Sequence, residues 1–213
     1  MRRGGRGRTL LLAALMLGAP GAAWQVWNRV WRDEVFPRRL VAVQPGRLYR
    51  SGQISARLID DVLAEHAIGA IVALRDHDEL RAEHRAERVA AQGRGIELAA
   101  WNLRGNGTGD PEHYVRAIEA IARARRAGKP VLVHCAAGVR RAGAVTGVYL
   151  LLVEHRSARE AYREVARFGA DDLGDSPLLP FLNQNLRRIA EGLVRRGVIE
   201  RVPEPLPVLG PEA

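Results

Sequence analysis

The chain has 213 residues, of which 47% are hydrophobic and 27% are charged. It is long enough to form a domain with a buried core, and this composition excludes a disordered or fibrous protein. Its single cysteine excludes an internal disulfide and a cysteine-rich metal site. The net charge of +9 favours anionic partners, although an arginine-rich codon bias explains it equally well. No zinc pattern or run of interleaved aromatic residues indicates nucleic-acid binding.

Residues 1–35 are predicted to form a membrane anchor or signal segment with a connector. Four arginines among the first eight residues precede an uncharged stretch over 9–27, close to the ~20 residues that a membrane-spanning helix needs. A retained signal-anchor and a signal peptide cleaved near Ala22–Ala23 both explain this pattern, and a buried helix fits it less well. We expect the anchor, which places the domain outside the cytoplasm at a bacterial inner membrane. Cleavage would instead give a periplasmic or secreted protein.

Strands and helices alternate over 36–200, the predicted domain. The run "VAVQPGRLYRSGQ" (41–53) predicts a strand, a Pro45–Gly46 turn and a second strand. This alternation is typical of an α/β fold in which helices flank a central, mostly parallel sheet. The periodicity then predicts a helix over 55–66, a strand over 71–74, a helix over 79–92 and a strand within 96–103.

The second half of the domain begins with a helix start at Asp110–Pro111, because proline is favoured at the first helical position. That helix ends at Gly128, and the apolar run "VLVHC" (131–135) predicts a central strand. The four prolines after residue 202 predict an extended tail over 201–213. Three more helices are predicted over 141–154, 158–167 and 178–196.

The only cysteine, Cys135, lies at the carboxyl end of the "VLVHC" strand, where the ligand sites of α/β folds lie. Residues 136–139 have small or apolar side chains, so their amides are free to point inwards and bind an oxyanion at the next helix start. Arg141 can add a bidentate contact to two of its oxygens. The same groups favour a thiolate at Cys135, which suits attack on a phosphoryl group and a phosphocysteine intermediate.

The run "HCAAGVRR" (134–141) matches the HCxxGxxR signature of the cysteine-dependent protein tyrosine and dual-specificity phosphatases. "LYRSGQ" (48–53) and "ALRD" (73–76) resemble strand motifs of a bacterial branch of the dual-specificity-like group. The resemblance covers about 43–196 and implies the phosphatase fold, with no metal and no cofactor. It implies that Cys135 attacks the phosphate and that Arg141 holds it. The other residues expected to bind the phosphate are His134, Ala136, Ala137, Gly138, Val139 and Arg140.

This sequence departs from the family in two places. The family usually has Ser or Thr directly after the arginine, where this chain has Ala142, so we expect slower hydrolysis of the phosphoenzyme or a less acidic thiol. The family's general-acid aspartate lies early in the loop after the 96–103 strand, where this chain has no acid. Asp110 is the expected acid, but it is also a helix N-cap, and N-cap hydrogen bonds favour the ionised carboxylate. The reserve candidates are Asp171, Asp172 and Asp175.

Other side chains near these motifs have two readings each. We expect His134 to tune the loop by hydrogen bonding rather than to act as a base. Arg140 either meets a second anionic group or is a solvated charge. Arg50 and Gln53 in "LYRSGQ" are interpreted as scaffold.

The expected function is phosphomonoester hydrolysis of the tyrosine or dual-specificity type, acting on a phosphorylated protein or a small phosphomonoester. The departures at Ala142 and Asp110 leave open a weakly active phosphate-binding module of the same fold. A phosphoinositide or metabolite phosphatase is a further alternative. Sulfur transfer also uses a cysteine in an anion-binding loop, but His134 and Arg141 argue against it.

Overall fold

The computed structural model describes residues 32–76, 78–169, 173–174 and 176–211. It separates into two compact units between Phe36 and Pro37. The first unit, as described, has the short helix α1 (Arg32–Val35), and the second has a sheet with helices on both faces. The strands are β1 (Val41–Gln44), β2 (Leu48–Ser51), β3 (Ala70–Ala73), β4 (Glu97–Ala100) and β5 (Val131–His134). The helices of the second unit are α2 (Ile59–Glu65), α3 (Ala82–Gly93), α4 (Pro111–Arg126), α5 (Arg140–Leu152), α6 (Ala158–Ala166) and α7 (Leu178–Arg195).

The strands form one sheet in the order β1-β2-β5-β3-β4. Only β1 and β2 are antiparallel, and the other neighbouring pairs are parallel. In the pairing register, Ser51 of β2 and Ala73 of β3 both lie beside His134 of β5. The residues that follow these three strands therefore meet at one edge, where ligand sites of parallel sheets form.

Each face of the sheet packs against its own group of helices. Val131 and Val133 of β5 face the larger hydrophobic cluster, which includes residues of α4, α5 and α7. Leu132 faces a smaller cluster with residues of α2 and α3. Helix α5 lies deepest, because every residue over 142–152 is buried. The core therefore fixes the start of α5 and the loop that leads into it.

The predicted α/β architecture with a mostly parallel sheet is confirmed, and every predicted strand and helix of the domain is present. The largest difference is α2, which begins at Ile59 rather than at Ser55. Residues 56–58 form a turn there, and no side chain caps the helix start.

The proline-rich tail belongs to the second unit. Leu209 is 2% exposed and joins the larger cluster. The predicted anchor falls almost entirely on residues 1–31, which lie outside the described part of the chain. Among the residues that the structure describes, no helix is long and apolar enough to cross a membrane.

Candidate active site

The cysteine loop (residues 135–141) joins the end of β5 to the start of α5. Cys135 is 2% exposed, so its sulfur lies below the protein surface. The amide of Gly138 donates a hydrogen bond to Cys135 Sγ at 3.2 Å. A backbone donor directed at the sulfur stabilises negative charge there, which is the charge that a nucleophilic thiolate carries.

The backbone carbonyls of 136–139 all accept hydrogen bonds from groups outside the loop. The donors come from β2, from the residues that follow it and from the segment before β1. They are Gln53 N to Ala136 O (3.1 Å), Arg39 Nη1 to Ala137 O (2.9 Å), and Arg50 Nη2 to Gly138 O (3.0 Å) and Val139 O (3.1 Å).

These carbonyl contacts fix the direction of the loop amides. The C=O and N–H of one trans peptide unit point in opposite directions, so outward carbonyls at 136–139 turn the N–H groups of 137–140 inwards. The Gly138 N–H, which reaches Cys135 Sγ, has this direction. Inward N–H groups at a helix N-terminus form a nest that can bind a tetrahedral oxyanion next to the sulfur.

Arg50 is the central support of this loop. Its side chain is fully buried, and Nη1 forms an ion pair with Glu164 Oε1 of α6 at 2.6 Å. Its guanidinium also lies 5.1 Å from the centre of the Phe168 ring. Burial lowers the pKa of Arg50, and the charge and hydrogen bond of Glu164 act in the opposite direction. Arg50 therefore ties β2 and α6 to the loop carbonyls at Gly138 and Val139.

Arg141, the predicted phosphate clamp, lies in the first turn of α5. Its Nη1 donates to Leu74 O, just after β3, at 3.0 Å and is 3.5 Å from Leu103 O in the loop after β4. Two neighbouring strand ends therefore hold one nitrogen of the guanidinium. The remaining N–H groups can serve as a fork for two oxygens of an anion.

His134 lies on the other side of the loop, in a buried contact with α3. Its Nε2 is 3.0 Å from Glu87 Oε1, and both side chains are 1% exposed. The approach does not have the alignment of a hydrogen bond. Neither ring nitrogen of His134 forms a hydrogen bond with a described residue, so the expected hydrogen bond to the loop is not observed, and its tuning role stays a prediction. Glu87, its neighbour, was not predicted from the sequence.

Asp110 is the N-cap of α4, and its carboxylate accepts a hydrogen bond from Glu112 N at 2.9 Å. It also lines a groove of about 590 Å³ with Asn102, Arg104 and Phe181, and Cys135 is not among the residues that line it. The cap reading of Asp110 is therefore observed, and its role as general acid stays a prediction. The reserve acids Asp171, Asp172 and Asp175 lie outside the described residues.

The sequence missed several groups that shape this site. Glu164 is 114 positions from its partner Arg50, and no local pattern marks the pair. Arg39, in the segment before β1, donates a hydrogen bond to the loop carbonyl of Ala137. The sequence predicts only a connector there. The interpretation of Arg50 as scaffold agrees with its contacts.

Comparison with known proteins identifies a family for the chain that carries this site. The family model described as "Dual specificity phosphatase, catalytic domain" matches residues 55–176, more than half of the chain. The chain belongs to this family. The predicted membership of the cysteine-dependent phosphatases is therefore confirmed, and the match includes the cysteine loop.

One curated relative and two solved structures show how far this similarity extends. Dual specificity protein phosphatase 26 of Mus musculus is 38% identical over 85 residues, which span 38% of each chain. The chain therefore matches about two fifths of the length of that relative. The active form of Tk-PTP is 25% identical, with a TM-score of 0.53 over 68% of this chain and 92% of that one. The core catalytic domain of the PP-IP phosphatase SIW14 from S. cerevisiae is 19% identical, with a TM-score of 0.56 over 76% and 94%.

Proposed function

We propose that the chain hydrolyses phosphomonoesters through a phosphocysteine intermediate, as a tyrosine or dual-specificity type phosphatase that needs no metal ion. The observation that supports this most strongly is the outward direction of the carbonyls at 136–139, which turns N–H groups towards the space next to Cys135 Sγ. With Arg141, these groups supply the positive charge that the transferring phosphoryl group needs. The contacts of the loop carbonyls hold these groups in this direction, so phosphate binding requires little reorganisation.

In the first step, the inward N–H groups and Arg141 hold the non-bridging oxygens of the phosphate. Cys135 Sγ attacks phosphorus opposite the ester oxygen, so that the S–P bond forms as the P–O bond breaks. The leaving oxygen takes a proton from the general acid. In the second step, the ionised general acid takes a proton from water as the water oxygen attacks phosphorus and the S–P bond breaks; inorganic phosphate leaves, and the thiolate and the protonated acid are restored.

Asp110 is the general acid in this proposal. Its carboxylate lies in the loop that carries Leu103, whose carbonyl contacts Arg141. To act, Asp110 must carry a proton on one carboxyl oxygen; Oδ1 accepts the capping bond from Glu112 N, which leaves Oδ2 for that proton. Asp110→Asn should lower turnover about 10²-fold for an aryl phosphate with a poor leaving group, and far less for p-nitrophenyl phosphate.

The first test is hydrolysis of p-nitrophenyl phosphate by the full chain between pH 5 and 8, with and without EDTA. We expect turnover that EDTA leaves unchanged and that Cys135→Ser abolishes. Turnover that survives in Cys135→Ser would refute the phosphocysteine, and loss with EDTA would refute metal independence.

A weakly active phosphate-binding module is the second candidate, favoured by the capping bond of Asp110 and by Ala142. Such a module binds inorganic phosphate but turns over phosphomonoesters poorly or not at all. Isothermal titration with phosphate, beside the hydrolysis assay, separates the two functions.

We also propose that the uncharged stretch over 9–27 anchors the chain in a bacterial inner membrane, with the domain outside the cytoplasm. The support is the four arginines that precede this stretch. Fractionation of cells that express the full chain should find it in the membrane, and recovery from the periplasm after N-terminal cleavage would instead identify a signal peptide.

A further inference from the structure

The end of β3 brings a second arginine to the edge of the sheet that holds the cysteine loop. Leu74 N donates to His134 O at 2.8 Å, and Leu74 O accepts from Arg141 Nη1 at 3.0 Å. Leu74 is thus held on one side by the last residue of β5, His134, and on the other by Arg141. Arg75 is the next residue, so its backbone lies directly beside the contact between β3 and Arg141.

The side chain of Arg75 is half-buried and lies in the electrostatic field of the cysteine loop. Burial lowers the pKa of Arg75, and the positive charges of Arg81 and Arg141 lower it further. Glu83 and Cys135 act in the opposite direction. Among the residues that the structure describes, Arg75 has no hydrogen-bond or ion-pair partner for its guanidinium.

The charged neighbours of Arg75 have partners of their own. Arg81 is 3.6 Å from Asp78 and 3.4 Å from Glu83, so its charge is balanced. Asp76, which follows Arg75 directly, accepts a hydrogen bond from the Asn102 side chain. Arg75 is therefore a half-buried cation next to the contact between Leu74 and Arg141, and among the described residues no carboxylate forms a direct ion pair with it. A guanidinium in this position suits an anion with two oxygens to offer, and phosphate has that geometry.

We propose that Arg75 forms a second anion site at the mouth of the cysteine loop, and that the preferred substrates are small phosphomonoesters with a second phosphate next to the scissile one. The inward amides and Arg141 take the scissile phosphate, and Arg75 takes its neighbour. This inference rests on the proposed function, because it assigns the scissile phosphate to the cysteine loop. Diphosphate and vicinal bisphosphate esters share the required chemistry.

The test compares two inorganic probes that differ by one phosphate. Phosphate and pyrophosphate are titrated into the full-length Cys135→Ser chain by isothermal titration calorimetry. The substitution removes turnover, so that only binding is measured. We expect pyrophosphate to bind at least about tenfold more tightly, since one charge-assisted contact contributes a factor of this order. Adding Arg75→Met should bring the ratio of the phosphate to the pyrophosphate dissociation constant close to one. Arg75→Lys in place of Arg75→Met should give a ratio between those two values.

Arg81→Met in the same background is the matched control. It removes one positive charge from the same side of the site, but one that Asp78 and Glu83 already balance. It should change both affinities by the same small factor and leave the ratio intact. Thermal unfolding of each variant checks that it folds.

The inference is wrong if Arg75→Met weakens both probes equally, or if pyrophosphate never binds better than phosphate. Hydrolysis of p-nitrophenyl phosphate by the chain with Cys135 intact reports on the proposed function separately. Normal turnover with a ratio near one rejects only the second anion site. Absent turnover with an Arg75-dependent ratio rejects only the phosphatase activity. A substrate pair then relates the site to a reaction. The chain with Cys135 intact should hydrolyse 2,3-bisphosphoglycerate with a higher kcat/KM than 3-phosphoglycerate, and Arg75→Met should reduce that difference.

Discussion

Gly138 has a left-handed backbone conformation in the cysteine loop, at a position with no room for a side chain. Its φ is +73°, and a Cβ at this position would lie 2.4 Å from Gly52 N. Gly138→Ala therefore combines left-handed strain with a backbone clash, and the loop must shift to relieve it. We expect a loss of unfolding free energy above the ~1–2 kcal/mol of the conformation alone, together with weaker phosphate binding. Urea denaturation and phosphate titration measure the two effects.

Gly128→Ala provides the control for that prediction. Gly128 also has a φ of +73°, but nothing lies within 4 Å of the Cβ that alanine would add. This variant should lose only about 1–2 kcal/mol and keep its phosphate affinity. Equal losses in Gly128→Ala and Gly138→Ala would show that the clash with Gly52 contributes nothing.

Ala142 replaces the hydroxyl residue that the family usually has after the phosphate-binding arginine. Its side chain is fully buried in the first turn of α5. If this methyl group limits the second step, Ala142→Ser should speed phosphoenzyme hydrolysis by about tenfold, since a hydrogen bond to a charged leaving thiolate contributes ~1.5 kcal/mol. A rapid-mixing assay with p-nitrophenyl phosphate should show a smaller burst and a faster steady state.

Ala144→Ser is the control for Ala142→Ser, because Ala144 is equally buried in the same helix. A hydroxyl there should reduce stability without changing the burst. An unchanged burst in Ala142→Ser would mean that phosphoenzyme hydrolysis does not depend on this position.

At the scale of residues, the sequence is informative where chemistry demands a fixed local spacing. In the proposed reaction, Cys135 and Arg141 both reach one phosphate from one loop, so they lie six positions apart and can be identified together. Glu164 and Arg39 reach the same loop from distant segments. Such partners depend on how α6 and the segment before β1 pack, which residue spacing does not encode. For Asp110 the sequence leaves the role undecided, because the same pattern of Asp followed by Pro is expected of a helix N-cap and of a general acid at this position.

At the scale of elements, the Arg50–Glu164 pair joins β2 to α6 beneath the cysteine loop. Removing one partner leaves the other charge buried, which typically costs about 3–5 kcal/mol. Arg50→Met should lose stability in this range and also weaken phosphate binding, because the carbonyls of Gly138 and Val139 lose their donor. Glu164→Gln keeps the side-chain shape but leaves the buried Arg50 charge without its carboxylate, so its loss of stability should fall in the same range. Urea denaturation and phosphate titration of each variant measure these effects.

Arg167→Met tests whether burial of the pair matters. Arg167 binds the same carboxylate at 3.1 Å, but its side chain is 40% exposed. An ion pair this exposed contributes less than about 1 kcal/mol, so this variant should stay close to the original stability. If Arg50→Met costs no more than Arg167→Met, the buried pair does not support the loop.

The elements themselves were predictable because most of them bury a continuous apolar face. The run "VLVHC" gives β5 at the centre of the sheet, and the N-cap of α4 falls at Asp110 as expected. The start of α2 was less predictable, because the turn at 56–58 takes the place of a capping side chain. Apolar periodicity reports the buried face of a helix, whereas its first residue depends on local hydrogen bonds.

At the scale of the whole molecule, the second unit extends to the proline-rich tail. Prolines predict an extended segment but do not say whether it packs, because that depends on the few apolar side chains between them. Here Val202 and Leu206 lie against the larger cluster, and Leu209 is part of it. The side-chain amide of Asn183 in α7 forms two hydrogen bonds with the backbone of Leu209: Nδ2 donates to Leu209 O, and Oδ1 accepts from Leu209 N, each at 2.9 Å.

This packing predicts that the tail stabilises the unit rather than merely ending it. Leu209→Ala should reduce the free energy of unfolding by about 2–4 kcal/mol, because it leaves a cavity where a side chain is 2% exposed. Val208→Ala, which changes a side chain that is 65% exposed, should cost less than about 0.5 kcal/mol. Urea denaturation of both variants decides the matter. If Leu209→Ala lowers the free energy of unfolding as little as Val208→Ala does, the tail does not stabilise the unit. If the loss is large, removing the tail should also destabilise α7, because Asn183 would lose its hydrogen bonds to the backbone of Leu209.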